Sequence, residues 1–163
     1  YESFIGNFPR HHKIGETGFV GLNSARGWQA RRNWAEGSIR LDDLQRLLTQ
    51  HSPRVLVAHH PFVQPPAAKL NVRTRRGEAA VDLVAKSGVK IVLTGHVHEP
   101  ISFRIGGGAR PSVLSISCGT LSNRLRQAPP SFNIIELEDT SVKVRTVTLE
   151  SDTTSEQVNI FDI

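Results

Sequence analysis

The sequence is poor in several residue types, and each shortage excludes a class of protein. Among 163 residues there is no methionine, one cysteine and 6% aromatic residues. The single cysteine, Cys118, excludes an internal disulfide, so a reducing, cytoplasmic location is expected rather than a disulfide-rich secreted domain. No apolar run reaches the roughly 18 residues of a membrane span, and no signal peptide opens the sequence. We therefore expect no membrane partner.

What is present suits one globular domain. Hydrophobic residues make up 38% of the chain, enough for a core, and the prediction is a single domain over 1–163. A sequence that begins at Tyr1 and contains no methionine is expected to be a fragment of a longer protein. The formal charge of +5 favours anionic ligands, although a merely basic surface explains it equally well. Cys118 closes a mostly apolar run and is predicted to be buried and inert.

Hydrophobic periodicity predicts alternating strands and helices. Leu41, Leu44, Leu47 and Leu48 follow helical spacing, with two aspartates in the first turn, where the helix dipole favours them. Residues 1–16, including the pair His11-His12, are interpreted as irregular and solvated, and the last dozen residues as a polar edge cap or frayed end. Helices are predicted over 41–50 and 77–87, and strands over 18–22, 54–58, 90–94, 101–105, 111–118, 132–138 and 142–149.

Histidines follow two of the predicted strands. The run 54–58 ends in His59-His60, and the run 90–94 ends in Gly95-His96-Val97-His98. Alternate residues of an extended chain point the same way, roughly 6–7 Å apart, so His96 and His98 can serve one metal ion or two neighbouring ions. A surface turn with two histidines is the alternative. The intervening helix makes a βαβ unit, which brings both strand ends to one edge of a parallel sheet. Four histidines therefore converge, which favours a metal site.

Other polar groups are more ambiguous. Trp28 and Trp34, with two arginines between them, are compatible with base stacking in a nucleic-acid site, but such residues more often anchor a loop. Asn123 and Arg124 lie in a polar loop and can hydrogen-bond a phosphate, and a solvated loop explains them as well. The glycine run Gly106–Gly108 lacks the context of a nucleotide-binding loop and predicts a hairpin turn.

Taken together, the motifs resemble the calcineurin-like metallophosphoesterase family, close to its cyclic-nucleotide phosphodiesterase branch. The resemblance rests on Val55-Leu-Val-Ala-His59-His60-Pro61, on Leu93-Thr-Gly95-His96-Val-His98 and, more loosely, on Ser117-Cys-Gly119-Thr120 with Ser131-Phe132-Asn133. It implies an α/β fold, a four-layer α/β/β/α sandwich, of which this chain supplies the C-terminal half. The implied reaction is phosphoester hydrolysis by a metal-activated hydroxide.

The same resemblance implies roles for individual residues. His59, His96 and His98 would bind metal, His60 would be a catalytic or substrate-side residue, and Asn123 and Arg124 would bind substrate. The implied cofactors are two divalent ions drawn from Mn, Fe, Zn or Mg. The implied substrate is a phosphoester, and the branch resembled implies a cyclic nucleotide.

Three family motifs have no counterpart in this sequence. The Asp-x-His pair, the Gly-Asp pair with the bridging aspartate and the Gly-Asn-His-Asp stretch are all missing, since Gly6-Asn7 continues as Phe8-Pro9. Without the bridging carboxylate, three histidines can hold one Zn²⁺-type ion but cannot form a two-metal clamp. The 163-residue chain alone is therefore expected to be inactive.

Two alternatives to the hydrolase stay open. One is a metal-dependent nuclease of the same fold, suggested by the positive charge and the Trp28 to Trp34 segment. The other is a degenerate, non-catalytic module that keeps two motifs as a phosphate-binding or interaction surface. A half-domain would also expose apolar sheet surface, which predicts homo-oligomers.

Overall fold

A six-stranded mixed sheet forms the centre of the computed structural model, which describes residues 10–25, 35–108, 111–122 and 128–163. The elements in chain order are β1 (His11–Ile14), β2 (Thr17–Leu22), β3 (Gly37–Ser38), α1 (Leu41–His51), β4 (Val55–Ala58), β5 (Thr74–Arg75), α2 (Gly77–Ala85), β6 (Ile91–Thr94), β7 (Ser102–Gly106), β8 (Ser112–Ser117), β9 (Ser131–Leu137), β10 (Ser141–Leu149) and β11 (Thr154–Asp162). The central sheet has the order β1-β2-β4-β6-β8-β7.

The four inner strands of this sheet are parallel. Val55 of β4 pairs with Ile91 of β6, and α2 connects the two strands, so the predicted βαβ unit is confirmed. β2 and β8 extend the parallel set, while β1 and β7 pair antiparallel at its edges. The carboxyl ends of β4 and β6 consequently lie side by side, as the prediction of converging histidines requires.

Both helices pack on one face of the sheet. The apolar stripe of α1 buries Leu44, Leu47 and Leu48 against Ala80 and Val84 of α2. Burying a leucine side chain contributes about 1.5–3 kcal/mol, so this stripe fixes the helix on the sheet. α1 ends at His51, and the C-cap residue Ser52 adopts a left-handed conformation with φ of 42° and donates its N–H to the carbonyl of Leu48. The predicted helix is thus confirmed, with one more residue.

A three-stranded antiparallel sheet, ordered β11-β10-β9, covers the opposite face. Val142 and Val144 of β10 are fully buried against Val55, Leu114 and other residues of the central sheet. The Arg54 guanidinium ties the two sheets together, because it donates to the carbonyls of Glu138 and Asp139 at 2.5 and 2.6 Å. One helix layer and two sheet layers are therefore present, and the predicted α/β class is confirmed.

The hairpins are confirmed, but four strands were not predicted: β1, β11 and the two-residue strands β3 and β5. Gly106, Gly107 and Gly108 have φ of 79°, 105° and 70°, which the β7–β8 turn requires. The interpretation of residues 1–16 as irregular is wrong for β1, where His11 stacks on His51 with ring centroids 4.4 Å apart. The final residues form β11, paired with β10 along its whole length. No described helix is long and apolar enough to cross a membrane.

Candidate metal centre

Two adjacent strand ends bring three imidazoles to one point. His59 directly follows β4, and His96 lies two residues beyond β6. The distance from His59 Nε2 to His96 Nδ1 is 3.3 Å, and the ring of His60 lies 4.5 Å from that of His96. One ring nitrogen from each of the three histidines falls within 4.8 Å of the others. Because Gly95 also donates its N–H to the carbonyl of His59 at 3.0 Å, the two loops hold each other in place.

The second loop has an unusual backbone. His96 and His98 adopt φ of 69° and 61°, in the left-handed region that costs most residues about 1–3 kcal/mol, although histidine tolerates it better than many. Val97 between them is fully buried. The strand ends at Thr94 as predicted, but the expectation that His96 and His98 lie on an extended chain is wrong. Packing of Val97 instead anchors a turn that carries the two imidazoles.

His60 is the buried member of the cluster, with 5% of its surface exposed. The hydroxyl oxygen of Ser24 accepts the backbone N–H of His60 and lies 3.0 Å from its Nδ1. Gly37 lies so close that a Cβ there would be 2.6 Å from the Cβ of His60. Burial, followed by the neighbouring His59, lowers the pKa of His60 to about 4. His60 is therefore neutral near pH 7, and Ser24 and Gly37 hold it in place.

The electrostatics of the cluster favour metal binding. Burial lowers the pKa of His59, and the nearby charge of His98 lowers it further. Neutral imidazoles are the form in which histidine ligates metal, so these environments keep ligand lone pairs available near pH 7. His98 thus lies near His59, although its ring does not join the group of three whose nitrogens converge.

The donor set fits one ion of the Zn²⁺ type. Imidazole nitrogens suit zinc, copper, iron and nickel, and three of them leave a fourth tetrahedral position for another ligand. Among the described residues no carboxylate joins the cluster. The adjacent Glu99 is buried, and its Oε1 accepts the N–H of Lys69 at 3.0 Å. A bridged pair of ions therefore does not fit the described residues.

Cys118 differs from its prediction as a buried thiol. The residue is exposed, because β8 ends at Ser117 and Cys118 lies beyond the sheet edge. Partial burial nevertheless raises the pKa of the thiol. A Cβ at Gly95 would lie 3.6 Å from Cys118 Sγ and 3.7 Å from His59 Nδ1, so the thiol borders the histidine cluster.

Sequence reasoning missed two residues that shape the site. Ser24 follows β2 and Gly37 begins β3, and both position His60 from distant parts of the chain. Ser24 lies two residues after a predicted strand, a weak signal that could have indicated it. Other sequence predictions, those concerning Asn7, Trp28, Trp34, Asn123 and Arg124, fall outside the described residues.

Comparison with known proteins finds remote structural similarity. No family model matches the sequence, and no curated protein matches it. Vacuolar Protein Sorting 29 from Cryptosporidium parvum is 23% identical, with a TM-score of 0.40, over 52% of this chain and 44% of that chain. A Vps29 double mutant from Entamoeba histolytica is 15% identical, with a TM-score of 0.40, over 87% of this chain and 97% of that one.

Wild-type Vps29 from Entamoeba histolytica, in complex with Zn²⁺, is 14% identical, with a TM-score of 0.37, over 88% of this chain and 98% of that chain. Similarity at this level does not assign a function. The geometry of the histidine cluster must carry that assignment.

Proposed function

We propose that this chain is a metal-binding module of the calcineurin-like metallophosphoesterase type. It holds one divalent ion and binds phosphate groups, but does not hydrolyse phosphoesters on its own. The observation that carries the proposal is the convergence of His59, His60 and His96 at the ends of two strands, with no carboxylate among the described residues of the cluster. A lone imidazole on a sheet edge needs no ligand. Three with nitrogens within 4.8 Å are typical of a metal site.

The three histidines are not equivalent in this proposal. His59 and His96 are the primary ligands, because their ring nitrogens already lie 3.3 Å apart. His60 contributes through whichever nitrogen Ser24 does not engage, or else positions the other two through its ring contacts with them. His98 is a further candidate ligand outside the group of three, since it lies near His59 in a turn with a left-handed backbone.

A bound ion would supply Lewis acidity toward a phosphoryl oxygen. The chain itself orients the neutral imidazoles, shields His60 from water and holds the Gly95–His98 turn against the end of β4. Activation of a hydroxide between two ions needs a bridging carboxylate, and this sequence lacks the motifs that would supply it. The non-catalytic module therefore agrees better with the described residues than the hydrolase does.

Zinc titration of the metal-free chain tests the proposal. We expect one Zn²⁺ per chain by calorimetry, and at least about a hundredfold loss of affinity in His59→Ala or His96→Ala, because each removes a primary ligand. His12→Ala is the matched control, since His12 is an exposed histidine on β1. Equal affinity in all four proteins would place any bound zinc elsewhere and would refute the site.

Hydrolysis by the histidine motifs is the second candidate, and the alignment of His59, His96 and His98 at adjacent parallel strand ends favours it. In that case a protein that also contains the missing Asp and Asn ligands would cleave phosphodiesters, with cyclic nucleotides as one substrate class.

For the 163-residue chain, we expect no turnover of bis-p-nitrophenyl phosphate above the rate of free metal with Mn²⁺, Fe²⁺, Zn²⁺ or Mg²⁺. The reason is that one ion without a bridging carboxylate cannot both activate water and neutralise the phosphoryl oxygens. Metal-dependent turnover that disappears in His96→Ala would instead establish the chain as a hydrolase.

A further inference from the structure

A basic groove lies beside the histidine cluster at the start of α1. It has a volume of about 400 Å³ and contains three arginines from two parts of the chain. Its polar lining consists of Arg10, Asn23, Ser38, Arg40, Asp43 and Arg46. The metal site uses none of these side chains, so the groove requires a separate explanation.

The base of the groove is a fixed arrangement of charges. Arg10 donates to both carboxylate oxygens of Asp43, at 3.0 and 2.6 Å, and to the carbonyl of Gly21 at 3.3 Å. Arg46 donates to the same carboxylate from the other side, at 2.5 Å. Hydrogen bonds from Arg10, the largest influence, and from Arg46 lower the pKa of Asp43, although burial opposes them. Asp43 thus orients both guanidinium groups.

One carboxylate does not balance three guanidinium groups. Arg10, Arg40 and Arg46 together carry three positive charges, and Asp43 carries one negative charge. Arg40 also approaches Asp42 at 3.4 Å, but both side chains of that pair are 75% exposed, and such pairs interact weakly in water. Arg10 uses three of its five N–H groups within the described part of the chain. Donors and positive charge therefore remain for an anion.

The groove and the histidine cluster share a wall. Ser24, which bonds His60, lies between two groove residues, Asn23 and Ala25. Ser38 donates its N–H to the carbonyl of Ser24 and directly follows Gly37, which touches His60. An extended ligand could therefore contact both sites at once.

From this juxtaposition we infer that the groove binds a phosphate group, namely a second phosphate of the ligand whose first phosphate reaches the histidines. Guanidinium groups are well suited to hydrogen-bond phosphate oxygens, and those of Arg10 and Arg46 are already oriented by Asp43 while keeping further N–H donors. The preferred ligand class is thus an organophosphate with at least two phosphates, rather than a monophosphate. The inference that both phosphates belong to one ligand rests on the proposed function. The inference that the groove binds an anion does not depend on it.

Binding of inorganic tripolyphosphate to the full chain in EDTA tests the groove without the metal site. We expect one site by calorimetry, at least tenfold weaker in the Arg40→Gln/Arg46→Gln double variant and weakened by added salt. Lys86→Gln is the matched control for the single variant Arg40→Gln, because each removes one positive charge and Lys86 is exposed at the end of α2. Arg40→Gln alone should lose about threefold, which covers the case that the double variant does not fold.

Failure of this inference is distinguishable from failure of the metal site. No binding by the unaltered chain, or an equal loss in Lys86→Gln, overturns the groove and leaves zinc binding untouched. Conversely, binding of tripolyphosphate without binding of zinc would support the anion site in the groove and refute the proposed function.

Discussion

Gly77→Ala should destabilise the chain more than any other single methyl addition at the described glycines. An alanine Cβ at position 77 would lie 1.7 Å from the carbonyl oxygen of Phe62 and 2.8 Å from its carbonyl carbon. Both groups belong to backbone, so no side chain can rotate away, and the two segments must separate by more than about 1 Å. We expect a loss of about 3 kcal/mol or more in unfolding free energy, and roughly a 10 °C fall in Tm.

Gly77→Ala should also weaken zinc binding at the histidine cluster. Gly77 begins α2, and Phe62 is a buried core residue two positions after His60. Separation of α2 from Phe62 therefore moves the loop that carries His59 and His60, and zinc affinity should fall together with stability.

Gly21→Ala is the matched control for this substitution. A Cβ at Gly21 would meet its nearest atom at 3.9 Å, which is an ordinary contact. Urea melts should place Gly21→Ala within about 1 kcal/mol of the parent. Two variants of equal stability would show that Phe62 and α2 are not packed as described.

Acid should destabilise the metal-free chain well above the pH at which its carboxylates titrate. His60 has a pKa of about 4 in the folded state and about 6.5 when unfolded. Between these values the unfolded chain binds a proton that the folded chain does not, so stability is complete above pH 6.5 and falls as the pH drops toward 4. The full change corresponds to about 3 kcal/mol, and the lowered pKa of His59 acts in the same direction.

Unfolding free energies measured by urea at several pH values from 7.5 to 4.5, in EDTA, test this prediction. His60→Gln cannot titrate and should show a flatter pH dependence, even if its stability at pH 7.5 is lower. His12→Gln, at an exposed position, should keep the parent slope. Identical slopes in the parent and His60→Gln would contradict the assignment of this acid sensitivity to His60.

Much of the scaffold follows from local pattern. The leucines of α1 repeat at helical spacing, and the short apolar runs Val55–Ala58 and Ile91–Thr94 favour mostly buried strands. A helix between two such strands implies parallel neighbours, so the sequence alone placed His59, His60, His96 and His98 at one sheet edge. The polar strand β11 was not predicted, because an edge strand largely exposed to water does not need alternating apolar and polar residues.

What the sequence by itself determined is the α/β class, the βαβ unit and the meeting of two histidine motifs, because these depend on periodicity within short segments. The tertiary structure alone decided which nitrogens converge, how Ser24 and Gly37 enclose His60, and that Arg10 meets Asp43 beside them. The hydrogen bonds among them join residues 33 or more positions apart. Local pattern specifies faces and strand ends, and only packing of the whole sheet specifies distances across them.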